Sequence, residues 1–198
     1  MKRCEAGTPL QTGDGSIEIA SWLDYCERFG IYHLFTEEYV HGLARRIREL
    51  NPVRILEICA GNGQLSQALS AYGMDVLATD SGAWEDIVLP GFVERLSARE
   101  ALRKYAPDLV LGCWVPIDTD IDVQVLRSPS VRHYLYIAGE SNGLIGSEAI
   151  WREPGRQVEE LEEIGPYSLC RSDFLLHITR GDVVTHSRAF LFRRGRKA

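Results

Sequence analysis

An α/β fold built on a mostly parallel sheet is what this sequence predicts, and three observations carry the prediction. Residues Val53 to Asp80, VRILEICAGNGQLSQALSAYGMDVLATD, read as a strand, a glycine turn, a helix and a second strand ending in a carboxylate. Beyond them, short apolar runs alternate with stretches of helical periodicity, the pattern of consecutive βα units. The chain of 198 residues, 45% hydrophobic and 25% charged, has room for one domain with a substantial core and not for two ordinary domains with a linker.

The elements follow in order. Residues 1–15 are expected to be a flexible lead-in, 16–50 a helical cap and 51–194 the sheet core. The first helix is predicted over Ile17 to Phe29, and the aromatic stretch Gly30 to Phe35 joins it to a second. Thr36-Glu37-Glu38 marks that second start: a hydroxyl cap followed by two acids that favour the positive end of the helix dipole. Val40, Leu43, Ala44 and Ile47 form its apolar face, and Asn51-Pro52 closes it. Val53 to Ile58 is a short β-branched run suited to a buried parallel strand. Cys59 to Gly63 supplies small residues where the backbone must turn sharply, Leu65 to Tyr72 is helical, and Gly73 is placed to end that helix left-handed. Met74 to Thr79 is the returning strand.

Phe92 to Leu96 is a third strand, Ser97 to Tyr105 a helix with Ser97 as its cap, and Pro107 to Pro116 a fourth strand with the loop at its carboxyl end. Val131 to Ala138 is a fifth, followed by a polar, glycine-rich loop from Gly139 to Ser147. Gln157 to Ile164 is predicted as an acidic helix with Val158 and Leu161 buried and its four glutamates largely solvated. Asp173 to Thr179 and Val183 to Arg193, about Arg180-Gly181-Asp182, read as a β-hairpin, in which His177 and His186 are structural.

Composition narrows the function. No apolar run approaches the ~18 residues that span a membrane, and the basic start MKRC has no apolar segment behind it, so neither a spanning helix nor a secretory signal is expected. Cys4, Cys26, Cys59, Cys113 and Cys170 are odd in number, scattered and without a CxxC pair, which argues against a disulfide framework and a zinc site and for a cytoplasmic setting. A net charge of −6 gives no general attraction for nucleic acid, and the basic tail Arg193, Arg194, Arg196, Lys197 reads as a solvated end. Asp118-Thr119-Asp120-Ile121-Asp122 alternates carboxylates but fails the calcium-loop pattern, since Pro129 stands where the bidentate Glu belongs. No metal is expected.

The glycine turn separates two ligand classes. A dinucleotide site is GxGxxG, and here Ser66 holds the place of the third glycine. A helix amino terminus without a full phosphate cradle suits a cofactor that carries no phosphate. Asp80, at the end of the second strand, can accept hydrogen bonds from both hydroxyls of an adenosine ribose. The run Glu57, Cys59, Ala60, Gly61, Gly63, with Asp80 seventeen residues after the last glycine, resembles motif I and its following acid in class I S-adenosylmethionine-dependent methyltransferases. Cys59 replaces that family's usual first glycine.

The resemblance implies a Rossmann-like three-layer sandwich with a mostly parallel seven-stranded sheet and a C-terminal antiparallel hairpin. It implies S-adenosyl-L-methionine as cofactor, with Asp80 and its neighbour Ser81 at the ribose. Ser97 stands where the family often carries an acid to the adenine amino group, and the Ala98 amide can serve a ring nitrogen. Cys113, Trp114 and Pro116 occupy the motif IV position, where an indole face can stabilise a sulfonium or stack on a flat substrate. They lack the Asn/Asp-Pro-Pro-aromatic signature of nucleobase amino methylation. Tyr32 and His33 become candidates for the roof over the methionine end, with packing of the helices as their competing role.

Methyl transfer from a sulfonium is an in-line displacement that chiefly needs a nucleophile held behind the methyl carbon and water kept out. His33 and Glu140 are the candidate bases and Trp114 the third candidate catalytic residue, while no G-x-S-x-G elbow or P-loop lysine is present. The sequence thus predicts methylation of an O or N nucleophile on a small molecule or peptide by a monomer or homodimer. A non-catalytic cofactor-binding or regulatory protein, an RNA methyltransferase and an NAD-dependent oxidoreductase stand as alternatives.

Overall fold

The computed structural model describes residues 19–84, 87–116, 119–141, 144–145, 147–171 and 187–195. Helix α1 covers Ile19–Arg28 and α2 Glu37–Leu50, with the two-residue strand β1, His33–Leu34, between them. Thr36 caps α2 by accepting from the Tyr39 amide, and Asn51 ends it in the left-handed conformation, both as its sequence dictates. Then come β2 (Ile55–Ile58), α3 (Gln64–Ser70), β3 (Val76–Asp80), β4 (Val93–Arg95), α4 (Ala98–Tyr105), β5 (Leu109–Cys113), α5 (Ile121–Arg127) and β6 (His133–Ala138). The chain continues through β7 (Glu140–Ser141), β8 (Leu144–Ile145), α6 (Glu148–Trp151), β9 (Arg156–Glu160), β10 (Leu169–Cys170) and β11 (Arg188–Arg194).

Seven of these strands form one sheet in the order β4-β3-β2-β5-β6-β11-β9. The pairings from β4 through β6 are parallel, and β11 runs antiparallel to both β6 and β9. The sheet carries helices on both faces. On one, Tyr39, Leu43 and Ile47 of α2 and Leu65 and Leu69 of α3 pack on Ile55, Leu109, Leu111 and Leu135. On the other, Ala101 and Leu102 of α4 and Val125 and Leu126 of α5 pack on Leu56, Ile58, Val110 and Tyr134. Alternate residues of β2 and β5 thus enter opposite cores, as a sheet covered on both faces requires. Strand order reverses between β2 and β5, and the crevice outside their carboxyl ends is where such sheets bind ligands.

One expectation changes. The helix predicted over Gln157 to Ile164 is instead the edge strand β9 followed by a 3₁₀ turn at Glu162–Tyr167, which contains Pro166. Its glutamates have partners that the sequence did not show: Glu159 pairs with Arg46 of α2 and Arg193 of β11, and Glu160 with Arg188. Charged side chains on a short edge strand also discourage pairing with another chain. The C-terminal strand is antiparallel as predicted and lies between β6 and β9, while residues 173–186 of the expected hairpin, His177 and His186 among them, lie outside the described residues. The loop after Ala138 holds a small ladder in which Glu140 faces Ile145 and Ser141 faces Leu144.

A further pair of strands matters for the site. Strand β1 pairs antiparallel with β10, His33 opposite Cys170 and Leu34 opposite Leu169, so a segment before the sheet and one near its end meet beside the switch point. No helix among the described residues is long and apolar enough to cross a membrane.

Candidate functional site

A cavity of about 560 Å³ opens at the switch point, within the ~300–1,000 Å³ range of small-molecule sites. The turn after β2 forms its floor. Cys59, Gly61 and Gly63 all adopt positive φ, +51°, +55° and +73°. Gly63 is also required sterically, because a Cβ there would collide with the Phe92 ring. Cys59 holds the left-handed conformation without a glycine's freedom, and Trp114, in the corresponding position after β5, does the same at +58°. Such residues concentrate where surrounding structure holds a site in shape.

Asp80 ends β3 at the cavity rim. Its carboxylate accepts from the Gly61 amide at 2.9 Å and from the Gly82 amide at 2.7 Å, one oxygen each. Those two bonds fix its orientation and leave further lone pairs on both oxygens. Asn62 donates to the Phe29 carbonyl at 2.9 Å, tying the glycine turn to the end of α1.

Glu57 lies behind the turn and is buried. One carboxylate oxygen accepts from the Ser66 amide at 3.0 Å and from the Ser66 hydroxyl. Burial pushes its pKa up to about 7, against the lowering effect of the Ser66 bonds. It braces the start of α3 against β2, and Ser66, which replaces the dinucleotide glycine, is its partner. Cys59 and Cys113 both line the cavity, and burial raises both thiols, Cys59 to about 12. Neither is a thiolate near neutral pH, which argues against cysteine nucleophilic catalysis.

The roof comes from β1 and β10. The Arg171 guanidinium lies 4.4 Å from the Tyr32 ring centroid, within cation–π range, and the Arg171 amide donates to the Tyr32 carbonyl. The Tyr32 ring is in turn 6.1 Å from Trp114, whose backbone amide donates to Ile137 of β6. The indole packs against Gly139, where a Cβ would approach it to 2.7 Å. His33 lines the cavity yet is only 2% exposed, its ring packed on Phe35 and Tyr39 and its Nδ1 2.9 Å from the Ser187 hydroxyl. Burial lowers its pKa to about 3.

Of the residues singled out in the sequence, the structure brings Tyr32, His33, Glu57, Cys59, Ala60, Gly61, Asp80, Cys113 and Trp114 around one cavity. Gly63 caps α3 beneath it, and Ser81 is exposed beside Asp80. Ser97 and Ala98 are not part of its lining: the Ser97 hydroxyl donates to Glu100 at 2.6 Å and accepts from the Glu100 amide, a full capping box for α4. Glu140 begins β7, just past the carboxyl end of β6. Trp151 packs on Phe190 and Phe192. Gly82, Asn62, Trp84, Arg171 and Ser187 went unnoticed in the sequence. Gly82 alone had a local signal, since an aspartate accepting from the amide two residues on is a common turn.

No family model matches the sequence, nor does any curated protein. Solved structures do resemble it. The methyltransferase domain of bacterial CtHen1-CN superposes with a TM-score of 0.52 at 9% identity, over 79% of this chain and 98% of that one. The plantazolicin methyltransferase BpumL, solved in complex with SAH, gives 0.50 at 13% identity, over 89% of each chain. With its strand order, its antiparallel C-terminal strand and these neighbours, the chain has the fold of the class I S-adenosylmethionine-dependent methyltransferases.

Proposed function

We propose that this protein binds S-adenosylmethionine and directs its methyl group onto an O or N nucleophile of a small molecule or peptide. The observation that carries the proposal is Asp80: a carboxylate oriented by two backbone amides, at the rim of a cavity at the switch point, beside a glycine turn that lacks a full phosphate cradle. The residues present fit that cofactor. Asp80 has the acceptor capacity for a ribose diol, the cavity has the volume for a nucleoside with an amino-acid tail, and Trp114 and Tyr32 offer aromatic faces to a sulfonium.

When bound, the cofactor supplies an electrophilic methyl group. The chain's own residues do the rest by position. Asp80 holds the ribose, with Ser81 next to it, and the backbone of Cys59 to Gly63 lies beneath the tail. Ser97 and Ala98 lie outside the lining of the ligand-free cavity and the Ser97 hydroxyl is engaged with Glu100, so of the two only the Ala98 amide is proposed for an adenine that reaches past that lining. Tyr32, clamped by Arg171, and Trp114, packed on Gly139, narrow the cavity and exclude water. Cys113 lines the same wall. Glu140 and His33 are the groups proposed to meet the acceptor, His33 as a neutral imidazole.

Small-molecule or peptide acceptors are preferred to nucleic acid because the net charge of −6 offers phosphates no general attraction. Calorimetric titration with S-adenosylhomocysteine and with NADH tests the reading. Binding of the first and not the second is expected, and absence of homocysteine-nucleoside binding ends the proposal. Asp80→Ala should weaken that binding by about 1.5–3 kcal/mol, the usual worth of a hydrogen bond to a charged group, roughly ten- to a hundredfold in Kd. Unchanged affinity would remove Asp80 from the ribose.

A further inference from the structure

Three buried side chains beneath the roof form a chain whose protons can be counted. His33 is 2% exposed, Ser168 1% and Ser187 0%, so water does not supply the missing hydrogens. The Ser168 hydroxyl stands 2.6 Å from the Ser187 carbonyl and also 2.6 Å from the Ser187 hydroxyl, and the latter stands 2.9 Å from His33 Nδ1.

A carbonyl oxygen only accepts. Tyr39 Oη, buried nearby, makes no hydrogen bond of acceptable geometry among the described residues, so the Ser168 proton lies on the short contact to Ser187 O, because two unprotonated oxygens do not sit 2.6 Å apart. Having no second proton, Ser168 must accept from the Ser187 hydroxyl across the other 2.6 Å contact. Ser187 has then given its one proton, so its bond to the imidazole is received: His33 Nδ1–H donates to Ser187 Oγ. The neutral ring carries one proton, which leaves Nε2 bare. Among the described residues Nε2 has no hydrogen-bond partner, although it is buried and belongs to a residue lining the cavity.

We infer that Ser168 and Ser187 lock His33 in the Nδ1–H tautomer, leaving Nε2, which is out of contact with solvent in the ligand-free structure, a fixed lone pair that an N–H or O–H group of a ligand in the cavity meets once the roof adjusts to it. Within the proposed methyltransferase reading, on which the identity of the ligand rests, that donor is either the ammonium of the cofactor's amino-acid tail or the protic group of the methyl acceptor. A carbon or thioether acceptor offers no such hydrogen. Ser168 and Ser187 act through His33 and are positioning residues. Burial also lowers the ring pKa to about 3, so the lone pair stays unprotonated near neutral pH.

The tautomer is read directly by ¹⁵N–¹H long-range correlation spectra of the full-length, ligand-free protein. An Nδ1–H pattern for His33, with no titration between about pH 5 and 8, is expected. An Nε2–H pattern overturns the inference. Ser187→Ala should relax His33 toward a mixture of tautomers, and an unmixed Nδ1–H signal in that variant would show that the serine chain does not set it. Four probes then locate the donor: S-adenosylhomocysteine, its analogue lacking the amino group, phenol and benzylamine. A shift of the Nε2 resonance with the first and not the second assigns the cofactor ammonium. A shift only on adding phenol or benzylamine assigns the methyl acceptor, and no response to any of the four refutes a ligand-facing Nε2. Failure to bind S-adenosylhomocysteine would refute the cofactor reading while leaving the tautomer result standing.

Discussion

Glu57 and Asp80 are both acids at the carboxyl ends of adjacent strands, and their surroundings separate them. Asp80 meets two backbone amides at a cavity rim, whereas Glu57 is enclosed with Ser66. With its pKa raised from 4.5 to about 7 in the folded chain, Glu57 binds its proton more tightly folded than unfolded. Its contribution to stability is therefore fully present below about pH 4.5 and lost as the pH rises through 7. Glu57→Gln removes that loss, so the variant should gain on the parent by about 3 kcal/mol between those limits, at ~1.4 kcal/mol per pKa unit. Urea unfolding of both proteins across pH 4.5–7.5 measures it, and parallel curves would contradict a buried, ionisable Glu57. Both acids were legible in the sequence as strand-end carboxylates. Their different duties were not, because what distinguishes them is burial.

At the scale of elements, signals that act within one turn of chain were the legible ones. Thr36 and the two acids after it start α2, Asn51 ends it, and Ser97 opens α4. Each works through backbone groups three or four residues away. The Ser97 hydroxyl is committed to the α4 cap, so Ser97→Ala should lower stability by about 1 kcal/mol, as lost caps do. Thermal unfolding would show it as a lower Tm, with S-adenosylhomocysteine affinity unchanged; a large loss of affinity would instead return the hydroxyl to the adenine. Strand β9 reads as a helix in the sequence because its period is ambiguous and its acids suggest a solvated face. Its true partners, Arg46, Arg188 and Arg193, come from α2 and β11. Nor did two residues as short as His33–Leu34 carry a strand period, although they place the roof.

Across the whole molecule, the alternation of strands and helices with a glycine turn and an acid was enough to predict the parallel sheet and its switch point. Half of the roof, Tyr32 and His33, is legible by resemblance, whereas Arg171 and Ser187 are not, since they arrive through pairings that no local pattern announces. Its two-residue ladder has far less support than the central strands, whose side chains are buried on both faces. Amide hydrogen exchange should therefore be faster at β1 and β10 than at β2 and β5, and S-adenosylhomocysteine should slow it at the roof. Equal protection in the ligand-free protein would count against an independently opening roof. His33 and Cys170 are 137 positions apart, so pairing them closes a long loop whose entropy must be met before the contact returns anything. The parallel core from β2 to β6 joins neighbours much nearer in sequence, and the roof is accordingly expected among the last contacts to form during folding. The site would thus mature in two stages, a nucleoside platform first and a closed reaction chamber second.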